Sequence, residues 1–337
     1  MAACSSIAGP NLPGVVMPSI RTALVAALLL APVQAHAQSY PTKPIKLVVP
    51  FGPGGPTDVA ARVVAQVVQS GLGQSVVIEN RPGAGGATGT KSVAISDPDG
   101  YTMLIGTSAT LGVVPALVKS PGYDPVKSFA PVGKISDSTT ILVVPPNFPA
   151  NTIAELVAYA KANPGKLSYS SAGYGNQTQL AAELLLARAG IKAVHVPYKS
   201  GAEMVTAVLS EQVQMTFPDI SILLPLIAEK KVKALAVTSA RRHPQLPDVP
   251  TMAESGIQDY VTTFWTGVVV PAGTPPDIVA KLNVAIEDGL KSPQVHDSLA
   301  KGGAQPASGS PRDFADFIAA ETRKWAAIAQ TAGLSPQ

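Results

Sequence analysis

The chain has 337 residues, 25 of them basic and 22 acidic, for a net charge of +3, and only 14% of residues are charged, against roughly 25% in an average soluble protein. It is too apolar for a disordered chain, its one cysteine excludes a disulfide scaffold or a cysteine-built zinc or iron–sulfur site, and its near-neutral charge leaves no basic footprint for nucleic acid. The low charge, a mean hydropathy of +0.24, and 32 prolines beside 29 glycines need a structural cause.

Residues 1–37 carry one charge, Arg21, and no acid. An apolar run over residues 22–31 stops at Pro32, and Ala35-His36-Ala37 follows. This is the pattern of a cleavable secretory signal, with cleavage expected after Ala37. The run is too short for a membrane span, which needs ~20 apolar residues; an uncleaved anchor is the alternative. The first sixteen residues are unusual for a signal, so Met17 is a second candidate start. Cys4 precedes the apolar run, so it is not a lipid-modified cysteine following one. Cleavage removes Cys4, His36 and Arg21, leaving His195, His243 and His296, and 24 basic residues against 22 acidic. Export without cysteine points to a periplasm, where a large core makes disulfides unnecessary.

Strands are expected at 45–49, 75–79, 102–106, 131–135, 140–144, 167–170, 193–196, 213–217, 234–238 and 264–270. Helices are expected at 57–70, 86–96, 152–162, 177–189, 201–210, 221–230, 275–290 and 311–330. In the first helix Val59, Val63 and Val67 recur at helical spacing; in the last, Phe314, Phe317, Ile318, Glu321, Trp325 and Ile328 share one face and predict core packing. The alternation predicts an α/β chain of parallel sheets with helices on both sides, whose twice-covered strands account for the low charge. Val48-Val49-Pro50, Val143-Val144-Pro145 and Val269-Val270-Pro271 each end a strand, because proline cannot donate to the ladder.

Ligands of open α/β sheets bind beyond the carboxyl ends of strands. Two strand-to-helix loops stand out there, at residues 50–58 and 170–178. Their glycines let backbone N–H groups approach a ligand, and each precedes a helix N-terminus, which favours an anion. Two such loops can clamp one anion from two domains; the alternative is a pair of tight turns. A third glycine segment, 80–89, has the spacing G-x-G-x-x-x-G and no acid after strand 102–106, so it reads as a structural turn rather than a dinucleotide site. There is no P-loop, no G-x-S-x-G elbow and no histidine pair at metal-ligand spacing. His195 reads as core or cleft wall, and Arg241-Arg242-His243 as solvated surface. Asp58 is either a helix-dipole residue or a contact to a ligand amine or bridging water. Asp219, Tyr198 and Ser108 follow strand ends and are candidate pocket residues.

Val49-Pro50-Phe51-x-Pro53-Gly54-Gly55-x-x-Asp58-x-x-Ala61-Arg62 resembles the opening motif of the Bug (Bordetella uptake gene) receptors, the extracytoplasmic solute receptors of tripartite tricarboxylate transporters. Glu79-Asn80-Arg81-Pro82-Gly83, Asp97-Pro98-Asp99-Gly100-Tyr101, Tyr123-Asp124-Pro125, Ser171-Ala172-Gly173-x-Gly175, His195-Val196-Pro197-Tyr198-Lys199 and Pro271-Ala272-Gly273-Thr274-Pro275 extend the likeness over residues 40–335. The resemblance implies a periplasmic-binding-protein-like fold, with two doubly wound α/β domains joined by two crossing strands and a ligand cleft between them. Domain I would be 38–138 plus 262–337, and domain II 139–261. It implies no cofactor, no catalysis, a monomer, and a small carboxylate delivered to membrane transporter subunits. The carboxylate would be held mainly by backbone groups and waters of the two loops: Phe51, Pro53, Gly54, Gly55 and Asp58 in one, Ser171, Ala172, Gly175, Asn176 and Thr178 in the other. Ser108, Tyr198 and Asp219 would complete the lining. Gly52, Asn176, Gln179 and the Ile220-Ser221 pair after Asp219 depart from the family pattern and bear on which ligand is taken. Two alternatives are a sensory receptor of the same fold and an exported enzyme using nucleotide or phosphate; against the enzyme stands the lack of a nucleophile–base set or phosphate lysine.

Overall fold

The apolar run at 45–49 forms β1 (Ile45–Val49), every residue of which is buried except Lys46. The computed structural model describes Tyr40–Gln337 except residues 174, 175, 199, 302, 332 and 335–337, together with Met1, Gly9 and Gly14. The expected leader, Cys4, the alternative start and the cleavage site lie outside the described residues. After β1 come α1 (Pro56–Leu72), β2 (Val76–Asn80), α2 (Ala87–Ala94) and β3 (Thr102–Thr107). A helical turn at Ala109–Val113 continues into α3 (Val114–Leu117). The chain then runs β4 (Phe129–Thr139), β5 (Ile141–Val144), α4 (Ile153–Ala162), β6 (Ser168–Ser171), α5 (Gln177–Ala189), β7 (Val194–Pro197) and α6 (Gly201–Leu209). It ends with β8 (Met215–Thr216), α7 (Ile220–Ala228), β9 (Lys233–Val237), β10 (Thr263–Pro271), α8 (Pro276–Leu290), α9 (Pro293–Lys301), β11 (Ala304–Pro306) and α10 (Pro311–Thr331).

Among the described residues the strands form two sheets, in the orders β11-β4-β10-β3-β1-β2 and β7-β6-β8-β5-β9. Both are mixed, which corrects the expectation of parallel sheets. β1 is parallel to β2 and β3, and β6 to β7 and β8. However, β10 is antiparallel to β3 and β4, β11 to β4, and β5 to β8 and β9. The cause is connectivity: the chain leaves the first sheet along β4, enters the second at β5, and returns along β10. An outgoing and a returning strand laid side by side must be antiparallel, and local strand–helix alternation does not encode that. The same crossing makes β4 eleven residues long where only 131–135 was expected. Hydroxyls tie the crossing together. Thr140 Oγ1 lies 2.7 Å from Thr238 Oγ1, which donates to the Thr262 carbonyl at 2.6 Å.

Each sheet has its own apolar core. Leu47, Val49, Val64, Val68 and Leu282 pack on the first sheet, and Leu142, Tyr169, Leu180 and Leu185 on the second. The expected face of α10 is inside: Phe314, Ile318, Glu321, Trp325 and Ile328 are buried, and Phe317 is half-buried against the same cluster as Phe314. Phe314 and Ile318 join a cluster with Trp265 of β10, whereas Trp325 and Ile328 join that of the second sheet, so one helix serves both.

Candidate functional site

The first glycine loop joins β1 to α1. Gly55 is the N-cap in extended conformation (φ −83°) without a side-chain cap, and Pro56 opens the helix, where its missing N–H costs nothing. Asp58, only 1% exposed, takes in the neighbouring donors. Its Oδ2 accepts the Gly54 N–H at 3.1 Å and Arg62 Nε at 2.9 Å, and its Oδ1 accepts Asn80 Nδ2 at 3.1 Å. Burial alone would push this carboxyl up, but the hydrogen bonds from Asn80, Gly54 and Arg62 outweigh it and hold the group below the usual carboxylate range. Asn80 Nδ2 also donates to the Phe51 carbonyl at 3.0 Å. The third glycine segment is the structural turn it was read to be, and it buttresses this loop. Gly86 has φ +95°, and a Cβ there would come within 2.6 Å of Thr110 Cγ2 and 3.1 Å of the Phe51 ring.

The second loop joins β6 to α5 and is likewise tied by its own side chains. Asn176 caps α5, its Oδ1 accepting the Thr178 N–H at 2.9 Å. Thr178 Oγ1 accepts the Ala172 N–H at 2.9 Å and donates to Asn176 Oδ1 at 3.1 Å. Ser171 Oγ lies 2.6 Å from His195 Nε2, and the His195 ring stacks on Tyr169 at 4.9 Å; burial pushes its pKa down. Gly175 lies outside the described residues.

Between the loops is a cavity of about 500 Å³. Four helices begin on its wall: α1 at Gly55, Pro56 and Thr57, α5 at Asn176, Gln177 and Thr178, α6 at Ser200, Gly201 and Ala202, and α7 at Pro218, Asp219 and Ile222. Phe51, Ala109, Thr140, Ala172, Met204 and Phe264 fill the rest. All four helices follow carboxyl ends of strands, β1, β6, β7 and β8. A helix N-terminus carries partial positive charge and unpaired N–H groups, so four together favour an anion without a basic side chain.

Of the expected site residues, Phe51, Gly55, Ala172, Asn176, Thr178 and Asp219 meet on this wall, while Pro53, Gly54, Asp58, Ser108, Ser171 and Tyr198 are not among its lining residues. The physical reason is that most of these six already have partners. The Gly54 amide is engaged by Asp58, as above. Ser108 is fully buried and donates to Gln177 Oε1. Ser171 is held by His195, and the Tyr198 hydroxyl donates to Gln212 at 3.2 Å. Asp219 both faces the cavity and caps α7. Its Oδ1 accepts from Ser221 N–H at 2.9 Å and Ser221 Oγ at 2.7 Å, and its Oδ2 accepts from Ser138. Burial pushes its pKa up, opposed by Ser138, Ser221 and the nearby His243. His243 is 5% exposed, with Nδ1 accepting the Gln245 N–H at 3.3 Å, which corrects its reading as solvated surface.

The sequence reading missed Gln177, Ser200 and Gly201. Ser200 was legible: it follows the strand exit at Pro197 and opens a helix, as in the two loops chosen. Thr140 and Phe264 reach the cavity only through the crossing strands, which leave no local signal. A larger groove of about 670 Å³ lies against α1, α8 and α9, with Val67, Gly71 and Ala285 on its wall, but no strand-exit loop reaches it.

A family model described as "Tripartite tricarboxylate transporter family receptor" matches residues 60–334. The chain is 37% identical over 311 residues to Protein BugT of Bordetella pertussis, covering 92% of this chain and 95% of that one. The solved structure of the periplasmic binding protein BugD is 37% identical, with a TM-score of 0.75 over 88% of this chain and 100% of that one. R. palustris Rpa4515, solved with adipate, is 36% identical, with a TM-score of 0.78 over 88% and 100%.

Proposed function

The chain belongs to the tripartite tricarboxylate transporter receptor family of periplasmic solute-binding proteins, and we propose that it captures a small carboxylate between its two sheets and delivers it to membrane transporter subunits. The observation that carries this is the meeting of four helix N-termini on one 500 Å³ cavity. A carboxylate oxygen there accepts backbone N–H groups whose alternative partner is water. Phe51, Met204, Ile222 and Phe264 then cover the ligand's carbon skeleton. The adipate held by the R. palustris relative supports a ligand of this size and charge.

In this reading 38–138 plus 262–337 and 139–261 are the two domains, and residues 1–37 are removed on export. Closure of the domains excludes water and strengthens each hydrogen bond to the anion. The protein works as a monomer and leaves its ligand chemically unchanged. The test is mass spectrometry of ligand released from the purified protein, followed by thermal-shift titration with hexanoate, adipate, malate and benzoate, and with nucleotides. A carboxylate that raises Tm and is recovered intact supports the reading. Stabilisation by nucleotides alone, or turnover of the added acid, overturns it.

A further inference from the structure

Gln177 is the first residue of α5, is 4% exposed, and lies on the cavity wall. Its amide is half used. Oε1 accepts from Ser108, a fully buried residue just after β3 in the other sheet, while Nε2 is buried with no hydrogen-bond partner. A buried N–H donor without an acceptor is costly, and few such groups persist in folded proteins. The oxygens of its chain neighbours are already engaged: Asn176 Oδ1 accepts the Thr178 N–H, and Thr178 Oγ1 accepts the Ala172 N–H.

We infer that Gln177 is a side-chain donor to the ligand, giving its Nε2 hydrogen to a carboxylate oxygen while Ser108 holds the other end of the amide. The inference rests on the carboxylate reading above. It adds a side-chain donor to the backbone N–H groups of the helix N-termini, and it gives that side chain a second role. Ser108 sits with the first sheet and Gln177 with the second, so their bond forms only when the two approach as they do here. The donor is therefore oriented by the same approach that encloses the ligand. Ser108 acts through Gln177 and is a positioning residue.

The experiment is calorimetry of adipate, hexanoate and benzoate with the wild-type chain, Gln177→Leu, Ser108→Ala and the double variant, with Tm measured for each free protein. For whichever acid binds the wild type, Gln177→Leu should weaken Kd roughly 10- to 100-fold, the range for a hydrogen bond to a charged group. Ser108→Ala should weaken it less, and the double variant no more than Gln177→Leu alone, because Ser108 has nothing to position once the amide is gone. The Tm of free Gln177→Leu should stay near wild type. Affinities unchanged in Gln177→Leu, or additive losses in the double variant, overturn the inference while leaving the receptor reading intact. A Tm that falls in step with affinity assigns Gln177 a structural role and also overturns it. No binding of any of the three acids, nor of malate, to the wild type defeats the carboxylate reading itself, and this inference with it.

Discussion

Asp58 Oδ2 accepts the Gly54 N–H at 3.1 Å, so the acid of the first glycine loop holds the loop's own backbone. With Arg62 and Asn80 also on it, this carboxylate faces three donors. Replacing it by asparagine turns an NH₂ toward N–H groups that need an acceptor. Asp58→Asn should therefore weaken adipate, hexanoate and benzoate by one common factor, about 10-fold or more, as measured by calorimetry. A loss confined to ligands with an amine or a second polar end would instead make Asp58 a ligand contact.

The same carboxyl sets a pH limit. Its folded-state pKa lies below the ordinary value, so the folded chain binds a proton less readily than the unfolded one. The stability it contributes is present above the unfolded pKa and is lost as pH falls through the folded pKa. Denaturant unfolding followed from pH 6 downward should show the wild type losing stability more steeply than Asp58→Asn.

Asp219 has the opposite sign. Burial raises its pKa in the folded state, so it lowers stability above that value, and the loss is relieved as pH falls. Asparagine keeps the cap on α7. Asp219→Asn should raise Tm at pH 7.5, and the gain over wild type should shrink toward pH 4. A gain that is flat with pH would show that Asp219 is not the titrating group.

Gly55 is on the cavity wall, and a Cβ there would meet nothing within 4 Å. Its φ of −83° suits any residue. Gly55→Val should leave Tm and circular dichroism unchanged, while calorimetry detects no binding of the acid that the wild type takes. Retained affinity would remove this stretch of backbone from the site.

Glu321 Oε2 accepts from Trp265 Nε1 at 2.9 Å and Trp325 Nε1 at 3.0 Å, and these are the only two tryptophans in the chain. Glu321→Leu leaves both buried indoles without an acceptor. The expected loss is about 2–4 kcal/mol in guanidinium unfolding, together with a shifted intrinsic emission. Unchanged emission would contradict the shared acceptor.

The loops themselves were legible because glycine, proline and helix-start residues at a strand exit are local signals. Five of the expected site residues reach the cavity for that reason. The others, Gly175 and the cavity-lining Asp219 aside, are not among the lining residues, because residue type does not say which partner a polar group finds. Asp58 was equally readable as a helix-dipole residue or a ligand contact, and its bonds to Gly54, Arg62 and Asn80, the last twenty-two positions away, form a tie that neither reading contained. Ser108 was read as pocket lining, yet it reaches the site only through Gln177, 69 positions on.

By itself the sequence determined the periodicities that make strands and helices, the burial of the Phe314–Trp325 face, the glycine turns and, through its motifs, the family. These depend on residues within a few positions of one another, where φ/ψ preference and apolar spacing act directly. Tertiary structure alone decided the antiparallel crossing of β4 and β10, the meeting of four helix N-termini and the half-satisfied amide of Gln177. Each requires segments far apart in the chain to be brought side by side, and that placement comes from packing two cores at once rather than from any local preference.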